Sequence, residues 1–302
     1  MNELWKIGSA LLLWPGLIGG TALAWLFLWI QRKLAARLQG RQGPPFYQPF
    51  FDFVKLLGKE TVVPGGVNRR LLYALPLVSA IAAVCALSLL PLPGNPMPPL
   101  AGNLIVLLYL LEMPAMCEVL AGYSSRSLYG QVGSAREAIL WLGYNLPFLA
   151  AVVSLAITAK SLTLAELAAA PLGPVHFAAA AAFLFALPAR LKRNPFSIAN
   201  AEQEIVAGPF TEYSGAPLAF FELSHGLELL ALVSLFTVLF LPSASHPGLR
   251  WLLYMLGSTA LVGLITLVAT ATARLTLRHA LRVYWSWGAG AAVVALVIAG
   301  TW

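Results

Sequence analysis

Cysteine and histidine are scarce in this sequence, and their scarcity excludes several kinds of site. The 302 residues include two cysteines, Cys85 and Cys117, and four histidines. These residues form no Cys-x-x-Cys pair, no spacing typical of zinc or iron–sulfur ligands, and no His-Glu-x-x-His motif. A glycine-rich phosphate-binding loop is also missing. The sequence therefore predicts that the chain carries no metal ligands, no cofactor fingerprint and no catalytic residues of its own.

Charge is scarce as well, because charged residues make up 10% of the chain and the mean hydropathy is +0.79. Apolar runs of about 20 residues, enough to cross a hydrocarbon core about 30 Å thick, recur along the sequence. They predict an all-α polytopic membrane protein, a single integral membrane domain over residues 1–302, with cytoplasmic amphipathic helices and loops. The first run is longer than a secretory signal and precedes a basic cluster, so we interpret it as a retained span. The eight predicted transmembrane helices cover residues 7–30, 71–92, 101–122, 137–158, 174–192, 217–241, 250–272 and 282–300.

The basic residues fall on one side of these spans. Of the 19 lysines and arginines, 16 lie in alternate connections, and the positive-inside rule assigns such connections to the cytoplasm. Both termini are then outside (periplasmic), in a cytoplasmic or inner membrane. The net charge of +7 reflects topology and contact with lipid, since no basic stripe with interleaved aromatics predicts nucleic-acid binding. The predicted cytoplasmic loops cover residues 31–70, 121–136, 190–217 and 273–281.

Segment 46–60, with the sequence FYQPFFDFVKLLGKE, has the periodicity of an amphipathic helix. Phe50, Phe53, Val54 and Leu57 form its apolar stripe, and Pro49 suits its first turn. The charged residues Asp52, Lys55 and Lys59 fall on the opposite face. We predict an interfacial helix whose charges face water or a partner protein.

The loop NPFSIANAEQEIVAGPFTEYSG, residues 194–215, is polar and acidic although it lies between two apolar runs. Ser197 can cap a short helix beginning at Ile198, which Gly208 and Pro209 would end. On such a helix Glu202 and Glu204 project in different directions. Solvated surface carboxylates are one interpretation of this loop, and a proton-sharing cluster is the other.

Glu112 and Glu118 lie within the third predicted span, and Glu222 and Glu228 lie within the sixth. A charge at the bilayer centre costs roughly 2.5–3.5 kcal/mol on insertion scales, so such residues usually face a cavity, a partner or an ion route. Glu118 and Glu222 lie nearer the span ends, where a carboxylate can reach the interface. Glu112 and Glu228 favour a proton or cation route through the membrane, although pairing with a neighbouring subunit would also explain them.

Several motifs, in order along residues 37–215, resemble one membrane-protein family. EIVAGPFTEYSG resembles the signature loop of the membrane subunit shared by respiratory complex I (its H subunit, or subunit 1) and the group 4 energy-converting nickel–iron hydrogenases. NPFSIANAEQE resembles the PPFD-L-PEAE-E run of that family. Residues 37–44 match its R-x-Q-x-R-x-G-P element, residues 52–60 its D-x-x-K-L-x-x-K-E element, and residues 120–138 one of its cytoplasmic loops.

Within this family, Gly208-Pro209, the run 202–204 and the run 133–138 resemble the hydrogenase branch, of the formate hydrogenlyase type. The resemblance implies a non-catalytic subunit of an oxidoreductase complex that links a cytoplasmic redox arm to proton or Na⁺ translocation and electron transport. The implied partners are hydrogenase-like large and small subunits, iron–sulfur subunits and antiporter-like membrane subunits. The nickel–iron centre and the iron–sulfur clusters would lie in those partners.

Three positions depart from the family pattern. Arg190, Ser197 and Asn200 stand where acidic residues are common in the family. Ser197 can still cap a helix, but none of the three can relay a proton as a carboxylate does. The expected acidic route is therefore either rewired through the spans or weakly coupled.

The resemblance and the residue pattern together give two groups of predicted functional residues. Closely spaced carboxylates can share protons in a coupled titration; on the proton or ion route we therefore place Glu204 and Glu212 first, then Glu202, Glu112, Glu228, Glu222 and Glu118. The second group fixes the docking junction with the redox arm: Arg37, Gln39, Arg41, Asp52, Lys55, Lys59, Glu60, Arg126, Arg136, Glu137 and Tyr213.

Three other functions remain open from the sequence. The first is the quinone-chamber membrane component (the H subunit) of a NADH-quinone oxidoreductase, with quinone as the ligand. The second is a stand-alone cation transporter, although no inverted repeat with paired interrupted helices is visible. The third is a passive scaffold whose intramembrane glutamates only hold neighbouring subunits.

Overall fold

The structure is a computed structural model that describes residues 3–95, 103–242, 244 and 246–301. Helices account for nearly all of the regular structure in these residues, which confirms the all-α prediction. In chain order they are α1 Glu3–Leu12, α2 Leu17–Leu38, α3 Gln48–Leu57, α4 Arg69–Leu89, α5 Leu104–Ser124, α6 Leu128–Ala159, α7 Leu164–Ala169, α8 Pro174–Arg190, α9 Glu202–Ile205, α10 Gly215–Phe240, α11 Pro247–Ala271, α12 Leu277–Val283 and α13 Ala289–Thr301.

Seven helical segments in the described residues are long and apolar enough to cross a membrane. They are built on α2, α4, α5, α6, α10, α11 and the continuous α12–α13 segment. The remaining predicted span corresponds to α8, which is apolar but has 17 residues and is therefore about 25 Å long. The chain is thus a multi-pass membrane protein with helices at all eight predicted positions.

Two predicted boundaries were wrong. The predicted first span, residues 7–30, is interrupted between α1 and α2, where Pro15 lacks the N–H that a continuous helix requires. At this interruption the Trp14 indole donates a hydrogen bond to the Pro93 carbonyl at 2.9 Å. The predicted loop 121–136 is mostly helical, because α5 continues to Ser124 and α6 begins at Leu128. Hydropathy detects only the apolar part of a helix, whereas α5 and α6 both extend beyond their apolar parts.

Helix α10 lies at the centre of the bundle. Its apolar window is the most buried among the spanning segments, and it packs against α2, α4, α8 and α11. A helix that is apolar on all sides belongs in such a position. Its buried polar residues, Ser224, Glu228, Ser234 and Thr237, therefore face other helices instead of lipid, whereas Glu222 near its first turns is exposed.

The loops that carry most of the basic residues are joined to one another at one end of the bundle, which we call the basic side. The Val62 N–H donates to Ser214 Oγ at 3.0 Å, and the Leu275 N–H donates to the Pro195 carbonyl at 2.9 Å. These contacts hold the connections after α3, α8 and α11 together, so the functional residues predicted in separate loops share one region.

Candidate functional site: a buried charge cluster

The end of α8 brings three basic side chains into the bundle. Residues 190–193, which we call the basic turn, contain Arg190, Lys192 and Arg193. Each side chain reaches a different part of the bundle, and the Arg193 guanidinium donates to Gln31 Oε1 of α2 at 2.7 Å. All three fit the positive-inside pattern of the sequence, and Arg190 also replaces a residue that is commonly acidic in the family. In the structure their side chains make contacts inside the bundle.

Arg190 forms an ion pair with Glu112 of α5. Its Nη1 lies 2.6 Å from Glu112 Oε1 and 3.0 Å from Asn145 Oδ1 of α6, while Nη2 donates to the Leu111 carbonyl at 2.8 Å. The other oxygen of Glu112 accepts from Asn145 Nδ2 at 2.9 Å and from the Trp141 indole. Charge-assisted donors on both oxygens stabilise the ionised carboxylate. Glu112 therefore cross-links α5, α6 and α8.

Lys192 enters the bundle beside Glu118 and His225. Its Nζ donates to Glu118 Oε2 and lies 3.3 Å from His225 Nε2 on α10. The side chains of Lys192 and Glu118 are 5% and 1% exposed, so both charges are removed from water. Glu118 was predicted to lie near a span end, within reach of the interface. The residue does lie in the last two turns of α5, but its carboxylate pairs with a lysine inside the bundle instead of reaching the interface.

Two more carboxylates lie beside these pairs. Glu137 of α6 is buried and accepts a hydrogen bond from the Tyr144 hydroxyl at 3.1 Å. Glu228 of α10 is also buried, and it is close enough to Arg190 and Lys192 for their charges to act on it. Among the described residues, neither Glu137 nor Glu228 forms a direct ion pair.

The charge cluster therefore contains more acids than bases. Its carboxyl groups belong to Glu112, Glu118, Glu137 and Glu228, and its two cations, Arg190 and Lys192, pair directly with the first two. An isolated buried carboxylate costs many kcal/mol, and such a group becomes neutral by binding a proton instead. Glu137 and Glu228 are thus the members best suited to bind and release protons. Glu228 was predicted for this role, while Glu137 was placed at the docking junction.

The acidic loop lies on the basic side, above this cluster. Glu204 pairs with Arg136 of α6 at 2.5 Å, with 55% and 24% of the two side chains exposed. Glu202 is exposed and Glu212 is half-buried. Because Arg136 and Glu137 are adjacent on α6, the ion pair of the loop is one residue away from a buried carboxylate.

The predicted helix from Ile198 is shorter than expected. Helix α9 begins only at Glu202, and the Ser197 hydroxyl donates to Asn194 Oδ1 instead of capping it. Ser197 also accepts a hydrogen bond from Arg274 at 3.3 Å. These contacts fill the hydrogen-bonding capacity of the Ser197 hydroxyl outside a helix. Hydrogen bonds of this kind commonly compete with helix formation.

Gly208 and Pro209 attach the acidic loop to the bundle. Gly208 has a φ of +55°, and a Cβ there would lie 2.1 Å from the Ala199 carbonyl oxygen, so only glycine fits. On the α6 side, a Cβ on Gly133 would lie 2.7 Å from the Pro209 ring. The Gly-Pro turn therefore requires a glycine at both points of contact.

The predicted docking residues divide into exposed and interior groups. Glu137 and Tyr213 are buried and face neighbouring helices, so their place at the docking junction, which stays a prediction, is an interior one. Burial raises the pKa of the Tyr213 hydroxyl above its ordinary value, so this hydroxyl stays protonated at neutral pH. Asp52 and Arg136 are half-buried. The exposed members on the basic side are Arg37, Gln39, Arg41, Lys55, Lys59, Glu60 and Arg126.

A separate cleft of about 300 Å³ lies between α2, α3 and α10. Asp52 of α3 pairs with Arg32 of α2 at 2.7 Å across it. Lys55, Lys59 and Glu222 also line the cleft. The predicted amphipathic helix is thus present as α3, but its charged face lines this cleft and its Phe50, Val54 and Leu57 are exposed.

Lys192, His225, Tyr144 and Asn145 were missed as members of the cluster. Their contacts join residues far apart in sequence, such as Lys192 and Glu118, which are 74 positions apart. The spacing of three between His225 and Glu228 on one apolar helix is the signal that could have identified His225.

Comparison with known proteins gives a consistent result. The family model described as NADH dehydrogenase matches residues 13–300. The chain is 34% identical over 265 residues to the H subunit of the NADH-quinone oxidoreductase of Syntrophotalea carbinolica, covering 79% of this chain and 80% of that relative. It is 31% identical over 296 residues to H subunit 2 of the NADH-quinone oxidoreductase of Syntrophobacter fumaroxidans. This match covers 91% of this chain and 89% of that relative.

A solved structure has the same fold. It belongs to the membrane-bound sulfane sulfur reductase, an archaeal respiratory membrane complex. The TM-score is 0.88 over 99% of this chain and 100% of that chain, at 24% sequence identity. The two chains therefore share the same arrangement of helices.

Proposed function

This chain belongs to the NADH dehydrogenase family, and we propose that it is the membrane subunit that couples a redox arm to ion translocation in a complex I-like energy-converting complex. The observation that carries the proposal is the charge cluster, in which two buried carboxylates, Glu137 and Glu228, have no ion-pair partner among the described residues. Such residues inside spanning helices typically mark an ion pathway. The curated relatives are named as subunits of an oxidoreductase, which supports a place in a multi-subunit complex.

The proposed route begins at the acidic loop. Glu204, Glu212 and Glu202 would collect protons on the basic side, which we place in the cytoplasm. From the Glu204–Arg136 pair the route continues to Glu137 and Glu228. Glu112 has a supporting role, because Arg190, Asn145 and Trp141 saturate its carboxylate.

For the redox arm we propose hydrogenase-type partners, with antiporter-like subunits in the membrane. The support is the resemblance of the Gly208-Pro209 turn to the hydrogenase branch of the family; this turn packs against Gly133 of α6. The nickel–iron centre and the iron–sulfur clusters would belong to the arm, and the exposed basic-side residues would form its docking surface. With that side in the cytoplasm, both termini lie outside the cytoplasmic (inner) membrane.

Quinone binding is a second candidate function, favoured by the cleft between α2, α3 and α10. Its volume of about 300 Å³ lies at the lower end of the range for small-molecule sites. Trp25, Leu28 and Phe53 supply apolar walls beside the Arg32–Asp52 pair. An apolar ring system with a polar edge fits this combination.

Purification of the tagged chain from its native membrane in mild detergent tests these alternatives. Hydrogenase-like subunits containing nickel and iron, together with antiporter-like partners, would support the proposal. NADH-oxidising partners with bound quinone would favour the second candidate. Isolation of the chain alone, with cation transport after reconstitution, would contradict both and favour a stand-alone transporter.

A further inference from the structure

Three titratable side chains meet at the end of the basic turn, and a fourth, Glu228, lies about one helical turn from one of them. Glu118 comes from α5, Lys192 from the turn, and His225 and Glu228 from α10. His225 Nε2 lies 3.5 Å from Glu118 Oε2 and 3.3 Å from Lys192 Nζ. His225 and Glu228 are three residues apart, so they lie on the same side of α10.

The hydrogen bonds of His225 determine its protonation state in this arrangement. Its Nδ1 faces the Phe221 carbonyl at 3.2 Å, and a carbonyl oxygen can only accept, so Nδ1 carries the hydrogen. The lone pair of Nε2 then faces the ammonium of Lys192, which donates to it. His225 is therefore neutral while Lys192 is bound to Glu118.

The charges within this group leave a place for one exchangeable proton. The single ammonium of Lys192 can neutralise only one of the two carboxylates, and it is bound to Glu118. Arg190, the other cation whose charge acts on Glu228, is already paired with Glu112. Glu228 therefore carries a proton when Lys192 is bound to Glu118. The other charged groups nearby are Glu112, Glu137 and Arg190 around Glu228, and Glu222 and Arg193 on the basic side of His225.

We propose that Glu118, Lys192, His225 and Glu228 form a proton-transfer site in which movement of Lys192 passes a proton between Glu228 and His225. When the ammonium swings from Glu118 to Glu228, the proton of Glu228 leaves and binds Nε2 of His225. The new imidazolium then pairs with Glu118. Each state contains the same number of protons and no net charge, so the step needs no co-reactant and leaves no unpaired buried ion.

The position of Lys192 suits such a movement. It lies just beyond the end of α8 with a positive φ of 53°, and its ammonium sits on a flexible four-carbon stem. One carboxyl oxygen of Glu118, Oε1, is buried without a hydrogen-bond partner among the described residues, so it can accept a hydrogen bond from a protonated His225. The basic turn leads directly into the acidic loop, so displacement of that loop by a redox arm would move Lys192.

This inference rests on the proposed function, and one set of variants separates the two. The assembled complex is reconstituted in sealed vesicles, where protons moved per electron are measured for His225→Gln, with the exposed His279→Gln as the matched control. Glutamine can accept the hydrogen bond from Lys192 but cannot bind the proton. We expect His225→Gln to lower coupled proton movement about a hundredfold, as for loss of an acid–base group, while His279→Gln has no effect.

Glu228→Gln completes the set. If Glu228→Gln stops proton movement but His225→Gln equals its control, the proton-transfer site is refuted and the proposed function stands. If neither variant changes proton movement, the proposed function itself fails.

A measurement on the unmodified sequence covers the case in which the variants fail to assemble. Redox-induced infrared difference spectra of the complex with and without ¹⁵N-histidine should show an imidazolium signal increasing as the protonated carboxyl signal decreases. A carboxyl change without any isotope-sensitive histidine signal would overturn the proposal.

Discussion

At the residue scale, the carboxylates of the charge cluster differ in how many hydrogen-bond and ion-pair partners they have, and this difference separates supporting residues from proton-binding residues. Glu112 accepts hydrogen bonds on both oxygens, and its partner Arg190 also lies over the Phe148 ring at 4.1 Å. Glu228 has no comparable set among the described residues. Glu112 and Glu228, both predicted for one route, therefore have different roles.

The supporting role of Glu112 can be tested by neutralising it. Glu112→Gln leaves Arg190 as an unpaired buried cation, which should destabilise the protein by about 3–5 kcal/mol, measured as the thermal stability of the purified complex. The double variant Glu112→Gln/Arg190→Gln should recover most of the loss. Normal stability with lost proton movement would instead make Glu112 part of the route.

The acidic loop should respond differently. We expect Glu204→Gln to preserve assembly, because a partly exposed ion pair contributes only about 0–1 kcal/mol. Coupled proton movement should decrease, since the first carboxylate of the route is lost. The exposed Glu166→Gln, distant from the loop, is the control. Unchanged proton movement in Glu204→Gln vesicles would remove Glu204 from the route.

At the element scale, the Gly-Pro turn fixes the acidic loop against α6. The sequence predicted the turn from Gly208 and Pro209, but not that Gly133 receives it, because that contact joins positions 75 residues apart. The order and positions of the spans were predictable, since hydropathy acts locally. The interruption at Pro15 has a local cause that hydropathy does not register. The extension of α6 and the short α9 were not predictable, because they depend on tertiary hydrogen bonds and packing.

Substitution of Gly208 tests this attachment. Gly208→Ala combines a positive φ with a Cβ placed against the Ala199 carbonyl, and we expect a loss of about 1–3 kcal/mol in stability. Proteolytic cleavage within residues 202–214 should become faster. Gly290→Ala in α13, where a Cβ meets nothing within 4 Å, is the control and should be neutral or stabilising. Equal cleavage rates in both variants would contradict the account of the turn.

At the scale of the whole molecule, one buried charge cluster is continuous with the loops of the basic side. Three of its acids, Glu112, Glu118 and Glu228, were visible in the sequence because glutamate is conspicuous in an apolar helix, whereas Glu137 was placed at the docking junction. Its bases were attributed to membrane orientation, since Arg190, Lys192 and Arg193 follow a span and fit that rule equally well. Only the fold shows that these side chains point into the bundle.

The predicted orientation can be measured with single cysteines in a cysteine-free background. A cysteine at exposed Arg41 should be protected from an impermeant thiol reagent applied to intact cells, while one at exposed Arg250 should be labelled. The reverse pattern would show that the basic side faces outward and would contradict the proposed direction of the route.

The central claim is that Glu137 and Glu228 carry the translocated protons. The most direct test is protons moved per electron in sealed vesicles containing the complex with Glu137→Gln and Glu228→Gln combined. We predict that redox turnover continues with a permeabilised membrane while proton movement in sealed vesicles is abolished. Wild-type proton movement in this double variant would contradict the account.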